Sequence, residues 1–124
     1  MKKFFFVLCL LTLSGLLFAQ EHEIVSFEGK DYKLISVSEF KFMNDSGQVE
    51  LGELFVIDAY ITSVSGNTLS LMEKNLSSNT RFKINSFVRF DFETPVRAFV
   101  EVTSVDAQYP SIMNETTIIK IDRR

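Results

Sequence analysis

Phe55, Ile57, Ala59 and Ile61 alternate with Val56, Asp58, Tyr60 and Thr62. A period of two puts the first set on one face of an extended chain and the second set on the other. This stretch therefore reads as a half-buried strand, and the domain around it must contain a sheet. The same rhythm returns at Val96, Ala98, Val100 and Val102, in a long strand that begins after Pro95 and runs to about Val105. Leu69 and Leu71, Phe82 and Ile84, and then Thr117, Ile119 and Ile121 mark three shorter strands. Ser65-Gly66-Asn67 supplies a hairpin turn between the strand from Phe55 and the one at Leu69. The alternation fixes an inward set: Phe55, Ile57, Ala59, Ile61, Leu69, Leu71, Phe82, Ile84, Val96, Ala98, Val100, Ile119 and Ile121.

Upstream, Ile24 to Phe27 and Tyr32 to Ile35 flank Glu28-Gly29-Lys30-Asp31 as a small hairpin. Ser38 is then expected to cap a short helix that holds Phe40 and Met43 and ends at Asn44-Asp45-Ser46-Gly47. Phe87 and Phe90, with Phe92, read as a bent continuation of the third strand or a second short one. Val56, Tyr60 and Phe99 give the outer face of the first and fourth strands more apolar surface than water would favour. The lead-in from Ile24 to Met43 is expected to cover Val56 and Phe99; the alternative leaves Tyr60 and Phe99 open as a binding platform.

The order of strand lengths is more specific. A long first strand with a tight hairpin, a third strand after the polar stretch Lys74 to Asn79, a long fourth strand, a long loop and a closing fifth strand resemble the OB-fold. Phe55 to Val64 is similar to the first strand of that fold, with Ala59 where a small residue lets the strand coil and Tyr60 on the outer face. Ser38-Glu39-Phe40 and Asn44-Asp45 resemble the lead-in of bacterial exported OB-fold proteins of the tRNA-anticodon-binding-like group. The resemblance covers about residues 38 to 122. It implies a mainly β domain, a five-stranded OB-like barrel with an N-terminal hairpin and short-helix lead-in. It also implies a binding face on the second and third strands and the loops after the first and fourth. On this chain the face would carry Asp58, Tyr60, Ser70, Met72, Arg81, Lys83 and Asn85, with Tyr109 in the long loop.

Residues 1–19 have the three-part layout of an export signal. Lys2 and Lys3 precede the apolar run Phe4 to Leu13, and Ala19 offers a small residue at the cut. The 16 residues from Phe4 to Ala19 fall short of the roughly 20 that span a bilayer. No later run is long enough, so no transmembrane segment is expected in the mature chain. The short Lys-Lys start resembles bacterial signals, and residues 20–124 are expected as one exported domain, periplasmic or extracellular, with 20–43 as its lead-in.

Removing the signal takes Lys2, Lys3 and Cys9 with it. Sixteen carboxylates then face eleven basic side chains, a net charge of −5, and no thiol remains. A chain with one histidine, His22, and no cysteine lacks the ligands of a zinc site and the nucleophile of a thiol enzyme. His22 lies three residues into the mature chain, where a frayed, solvated tail is expected. The pairs Glu21/Glu23, Asp91/Glu93 and Glu50/Glu53 lack a loop framework that would converge them on a cation or glycoside. No Gly-x-Ser-x-Gly occurs. The expectation is therefore no enzyme, no cofactor and no metal, but an exported binding or interaction module. Its partner is expected to be an envelope protein or a polar small ligand, and the acidic balance speaks against nucleic acid. The alternative is single-stranded nucleic-acid or oligosaccharide binding through the OB face. Intact-mass measurement of the exported product is expected to give a chain beginning at Gln20; a product retaining Met1 to Ala19 refutes the signal.

Overall fold

The computed structural model describes residues 22–73, 79–84 and 91–124. Strands β1 (Ile24–Phe27) and β2 (Lys30–Ile35) lead into helix α1 (Val37–Asp45). Strands β3 (Leu54–Ser65), β4 (Thr68–Met72), β5 (Asn79–Ile84) and β6 (Pro95–Ser104) follow, then the helical turn α2 (Pro110–Met113) and strand β7 (Glu115–Arg123). The strands form one sheet in the order β1-β2-β3-β4-β5-β7-β6, and a further pairing of β6 with β3 closes the last five into a barrel. The expected OB-like barrel with its hairpin and helix lead-in is what the chain forms. The export signal expected at residues 1–19, the polar stretch from Lys74 to Ser78, and Phe87 and Phe90 lie outside the described residues; Phe92 is an exposed turn residue.

The β1–β2 hairpin is tighter than the sequence suggests. Glu28 (φ 51°) and Gly29 (φ 79°) alone make the turn, and two successive positive φ values are what a two-residue hairpin of right-handed twist requires. Gly66 (φ 60°) does the corresponding work between β3 and β4.

The cap of α1 is Ser36, not Ser38. Ser36 Oγ accepts from the Glu39 N–H at 3.1 Å, the acceptor geometry of an N-cap. The Ser38 N–H is instead taken by Glu73 Oε1 of the segment after β4, at 2.6 Å, so a carboxylate faces the positive end of the helix. At the other end Gln48 N–H reaches Met43 O (2.8 Å) and Gly47 N–H reaches Asn44 O (3.2 Å), with Gly47 at φ 76°. This is a Schellman stop. His22 is not a loose tail residue either: its Nε2 lies 2.7 Å from Glu39 Oε2, tying the start of the lead-in to the first turn of α1.

The barrel interior is filled by the expected residues of β3, β4, β5 and β6, joined by Val37 and Phe40 of α1. Phe40 meets Phe55 edge-on (5.6 Å) and Phe82 at a tilt (5.2 Å). A second cluster lies outside the barrel. Phe99, 5% exposed, stacks on Phe27 (4.8 Å) and takes the edge of Tyr32 (5.1 Å), with Val56 beneath. The hairpin therefore covers Phe99 and Val56, and no open Tyr60–Phe99 platform exists. Phe40 and Met43, expected in that cover, turn to the main core instead, because α1 crosses the barrel end.

One inward assignment fails. In β7 the register passes from Phe99↔Lys120 to Val100↔Ile118, which leaves Ile119 as an extra residue. Such a bulge reverses the alternation on its far side. Ile118 is buried (7% exposed) and Ile119 points out (44%), while Ile121 is partly buried against the core. Equilibrium urea unfolding is expected to show Ile118→Ala losing about 2–4 kcal/mol and Ile119→Ala no more than about 0.5 kcal/mol. Equal losses would refute the bulge.

Candidate functional site

Cross-strand register places the sequence-predicted residues. Tyr60 is opposite Met72, Ser70 is opposite both Ser63 and Arg81, and Thr68 is opposite both Ser65 and Lys83. Residues directly opposite share a face. Tyr60, Ser70, Met72, Arg81 and Lys83 therefore form one outer surface across β3, β4 and β5. Asn85 lies outside the described residues. Tyr109 is 54% exposed in the connection between β6 and β7, where its N–H binds Asp106 Oδ1 (2.7 Å), and it lines neither concavity of this surface.

Asp58 is not available to a ligand. Arg97, its partner across β3 and β6, donates Nε and Nη2 to its two oxygens at 2.7 and 2.9 Å. Arg124 approaches the same carboxylate at 4.0 Å, donates to Ala59 O and Val96 O, and lays its guanidinium over the Tyr60 ring at 5.6 Å. The upper half of the predicted face is thus an internal charge network, and what stays open is its β4–β5 half.

That half borders a cleft. Among the described residues β5 and β7 are paired at Lys83↔Thr117 and Ile84↔Ile118, and the strands part toward Thr80 and Glu115. The opening, about 660 Å³, is walled by β5, by Asn67 of the β3–β4 turn, by α1 and by the segment from Ser111 to Thr116. A smaller hollow of about 260 Å³ lies on the other side of Arg81, lined by Ser63, Ser65, Thr68 and Ser70. Arg81 stands on the ridge between the two, exposed and without an ion pair among the described residues.

Lys41, Asn44, Asn67 and Asn114 belong to this site and escape the sequence reading. Asn114 binds the site together: its Nδ2 donates to Asn44 Oδ1 (3.1 Å) and its Oδ1 accepts from Asp106 N–H (2.7 Å), fastening the β6–β7 connection to α1. Among the described residues no three carboxylate, imidazole or thiol groups converge as a metal site would need, and no helix is long and apolar enough to cross a membrane.

Hydrogen bonds from Arg97 hold the Asp58 carboxyl below its ordinary range, and the charges of Arg97 and Arg124 add to this against partial burial. A lowered carboxyl contributes stability that is full above the unfolded value near 3.9 and is lost as pH falls through the lower folded value. Asp58→Asn is therefore expected to cost about 1 kcal/mol at neutral pH, with the gap to the native protein closing as acid titrations of urea stability pass below about pH 3.9.

No family model matches the chain, and no curated protein matches it in sequence. Among solved structures it is similar to the crystal structure of telomere capping protein Ten1 from Saccharomyces pombe, with 14% sequence identity and a TM-score of 0.51 over 74% of this chain and 80% of that one. The likeness is one of fold, an OB-like barrel.

Proposed function

We propose that this chain binds single-stranded nucleic acid along the β4–β5 face, with Arg81 as the phosphate contact. The carrying observation is Arg81, exposed and without an ion pair among the described residues, on the ridge between two polar hollows. OB barrels take oligonucleotides on this surface, between the loop after the first barrel strand and the loop before the last. Serine, threonine and asparagine side chains around it suit base and sugar edges.

This reading replaces the expectation of an exported interaction module that engages an envelope protein or polar small ligand and avoids nucleic acid. The finding that turns it is the likeness in fold to a telomere capping protein. The expectation against nucleic acid rests on the acidic balance of the chain, a net charge of −5 without residues 1–19. Asp58 is neutralised by Arg97 and Arg124, so bulk charge misjudges the local field.

We propose as well that binding occurs outside the cytoplasm, on the support of the export-signal pattern of residues 1–19, and without catalysis, on the support of a sequence with no Gly-x-Ser-x-Gly and no thiol in residues 20–124. The finer placement among bacterial OB-fold proteins of the tRNA-anticodon-binding-like group is supported by Ser38-Glu39-Phe40 and Asn44-Asp45 and belongs to the same proposal. Fluorescence anisotropy with a labelled oligothymidylate of about a dozen nucleotides tests the binding. The native domain is expected to bind with salt-dependent affinity, and Arg81→Glu to weaken it roughly tenfold or more. No binding, or equal binding by Arg81→Glu, overturns the reading. Salt-insensitive capture of a neutral glycan by both proteins would favour the oligosaccharide alternative.

A further inference from the structure

Resting on the nucleic-acid reading, we infer that Glu115 and Asp45 restrict the cleft to a strand held through one phosphate, at Arg81, by keeping Lys83 and Lys41 engaged. Three cations line the cleft, Lys41, Arg81 and Lys83, and two carboxylates line it with them. Lys41 Nζ lies 2.9 Å from Asp45 Oδ2, one turn along α1. Lys83 Nζ of β5 lies 3.8 Å from Glu115 Oε1 of β7, a pair that reaches across the opening where the two strands part. Only Arg81 has no carboxylate among the described residues.

The cleft thus carries a net charge of +1, and its free charge is concentrated at one guanidinium. A groove that tracks a polyanion needs successive cations free to take successive phosphates. Here a second phosphate must first displace a carboxylate from its lysine. The two pairs differ in how readily they yield. Lys41 and Asp45 are in hydrogen-bond contact within one helix, which fixes their spacing. Lys83 and Glu115 are beyond that distance and sit on different strands; both pairs are partly exposed and screened, so the longer one yields first. Glu115 is therefore the residue that sets the phosphate count, with Asp45 as the firmer stop behind it. The ligand this describes is a strand recognised mainly through its sugars and base edges, with one charged anchor.

The test is the salt dependence of oligothymidylate binding by the native domain, Glu115→Gln, Lys83→Gln and the double variant, each checked by circular dichroism for the native spectrum. One phosphate contact predicts a slope of log affinity against log salt of about −0.7 for the native domain. Freeing Lys83 in Glu115→Gln is expected to raise low-salt affinity roughly five- to tenfold and to steepen the slope to about −1.4. On a Lys83→Gln background the Glu115→Gln change should bring no gain, the double variant matching Lys83→Gln in both affinity and slope. Equal affinity and slope for the native domain and Glu115→Gln, or a native slope already near −1.4, overturns this inference and leaves Arg81-dependent binding standing. Absence of native binding overturns the nucleic-acid reading and the inference with it.

Discussion

The antiparallel register of β3 and β6, from Leu54↔Glu101 to Tyr60↔Pro95, is the constraint on which the rest of the molecule depends. It aligns Phe55, Ile57 and Ala59 with Val100, Ala98 and Val96, so both strands turn the same residues inward and the sheet can close on itself. β3 is long enough to serve several partners: its far edge pairs with β2 at Phe55 to Ile57 and with β4 from Tyr60 onward. A slip of one residue would move every one of these side chains to the opposite face. The bulge at Thr62 lets β3 bend away from β6 and toward β4, and it shifts the side facing the buried β4 residues from the odd positions ending at Ile61 to Val64, opposite Leu69.

The same register places Val56 opposite Phe99 on the outside. Two such residues would be an exposed apolar patch, and the β1–β2 hairpin exists to bury them. Phe27 and Tyr32 supply ring contacts at 4.8 and 5.1 Å, and the parallel pairing of β2 with β3 supplies the backbone partners that hold the hairpin there. Deleting a buried aromatic ring of this kind costs about 3–5 kcal/mol, a large part of the stability of a small domain. The lead-in is accordingly part of the fold, while α1 closes the barrel end with Phe40 and lends its outer face to the cleft.

Electrostatics then decides what the outer surface can do. Asp58 and Arg97 meet because their strands are in register, and Arg124 joins them by crossing back over β3 and β6. Their charges are spent on one another. Around the cleft, Lys41 of α1 and Lys83 of β5 are each near a carboxylate, and Arg81 has none among the described residues. The net charge of the chain therefore does not set the field at this surface, because local pairing matters more than net charge at contact distance.

Much of this was legible in the amino-acid order. The alternation in β3 and β6 names their buried faces, Gly66 and Gly29 mark the hairpins, and the surplus of apolar residues at Val56 and Phe99 calls for the cover that the lead-in provides. Arg81 and Lys83 could be assigned outward from the phase of Phe82 and Ile84 alone. The sequence could not decide between Ser36 and Ser38 as the helix cap, since both are competent and the choice depends on Glu73 reaching the Ser38 N–H from 35 residues away. Nor could it reveal the bulge at Ile119, because a bulge is a property of two strands and the period of one strand carries no trace of its partner. Asp58 looked like a free ligand for the same reason, its arginine being 39 residues distant in the chain. Alternation is local and survives in the sequence; register, charge pairing and the cleft between β5 and β7 arise where distant strands meet, so only the tertiary structure fixes them.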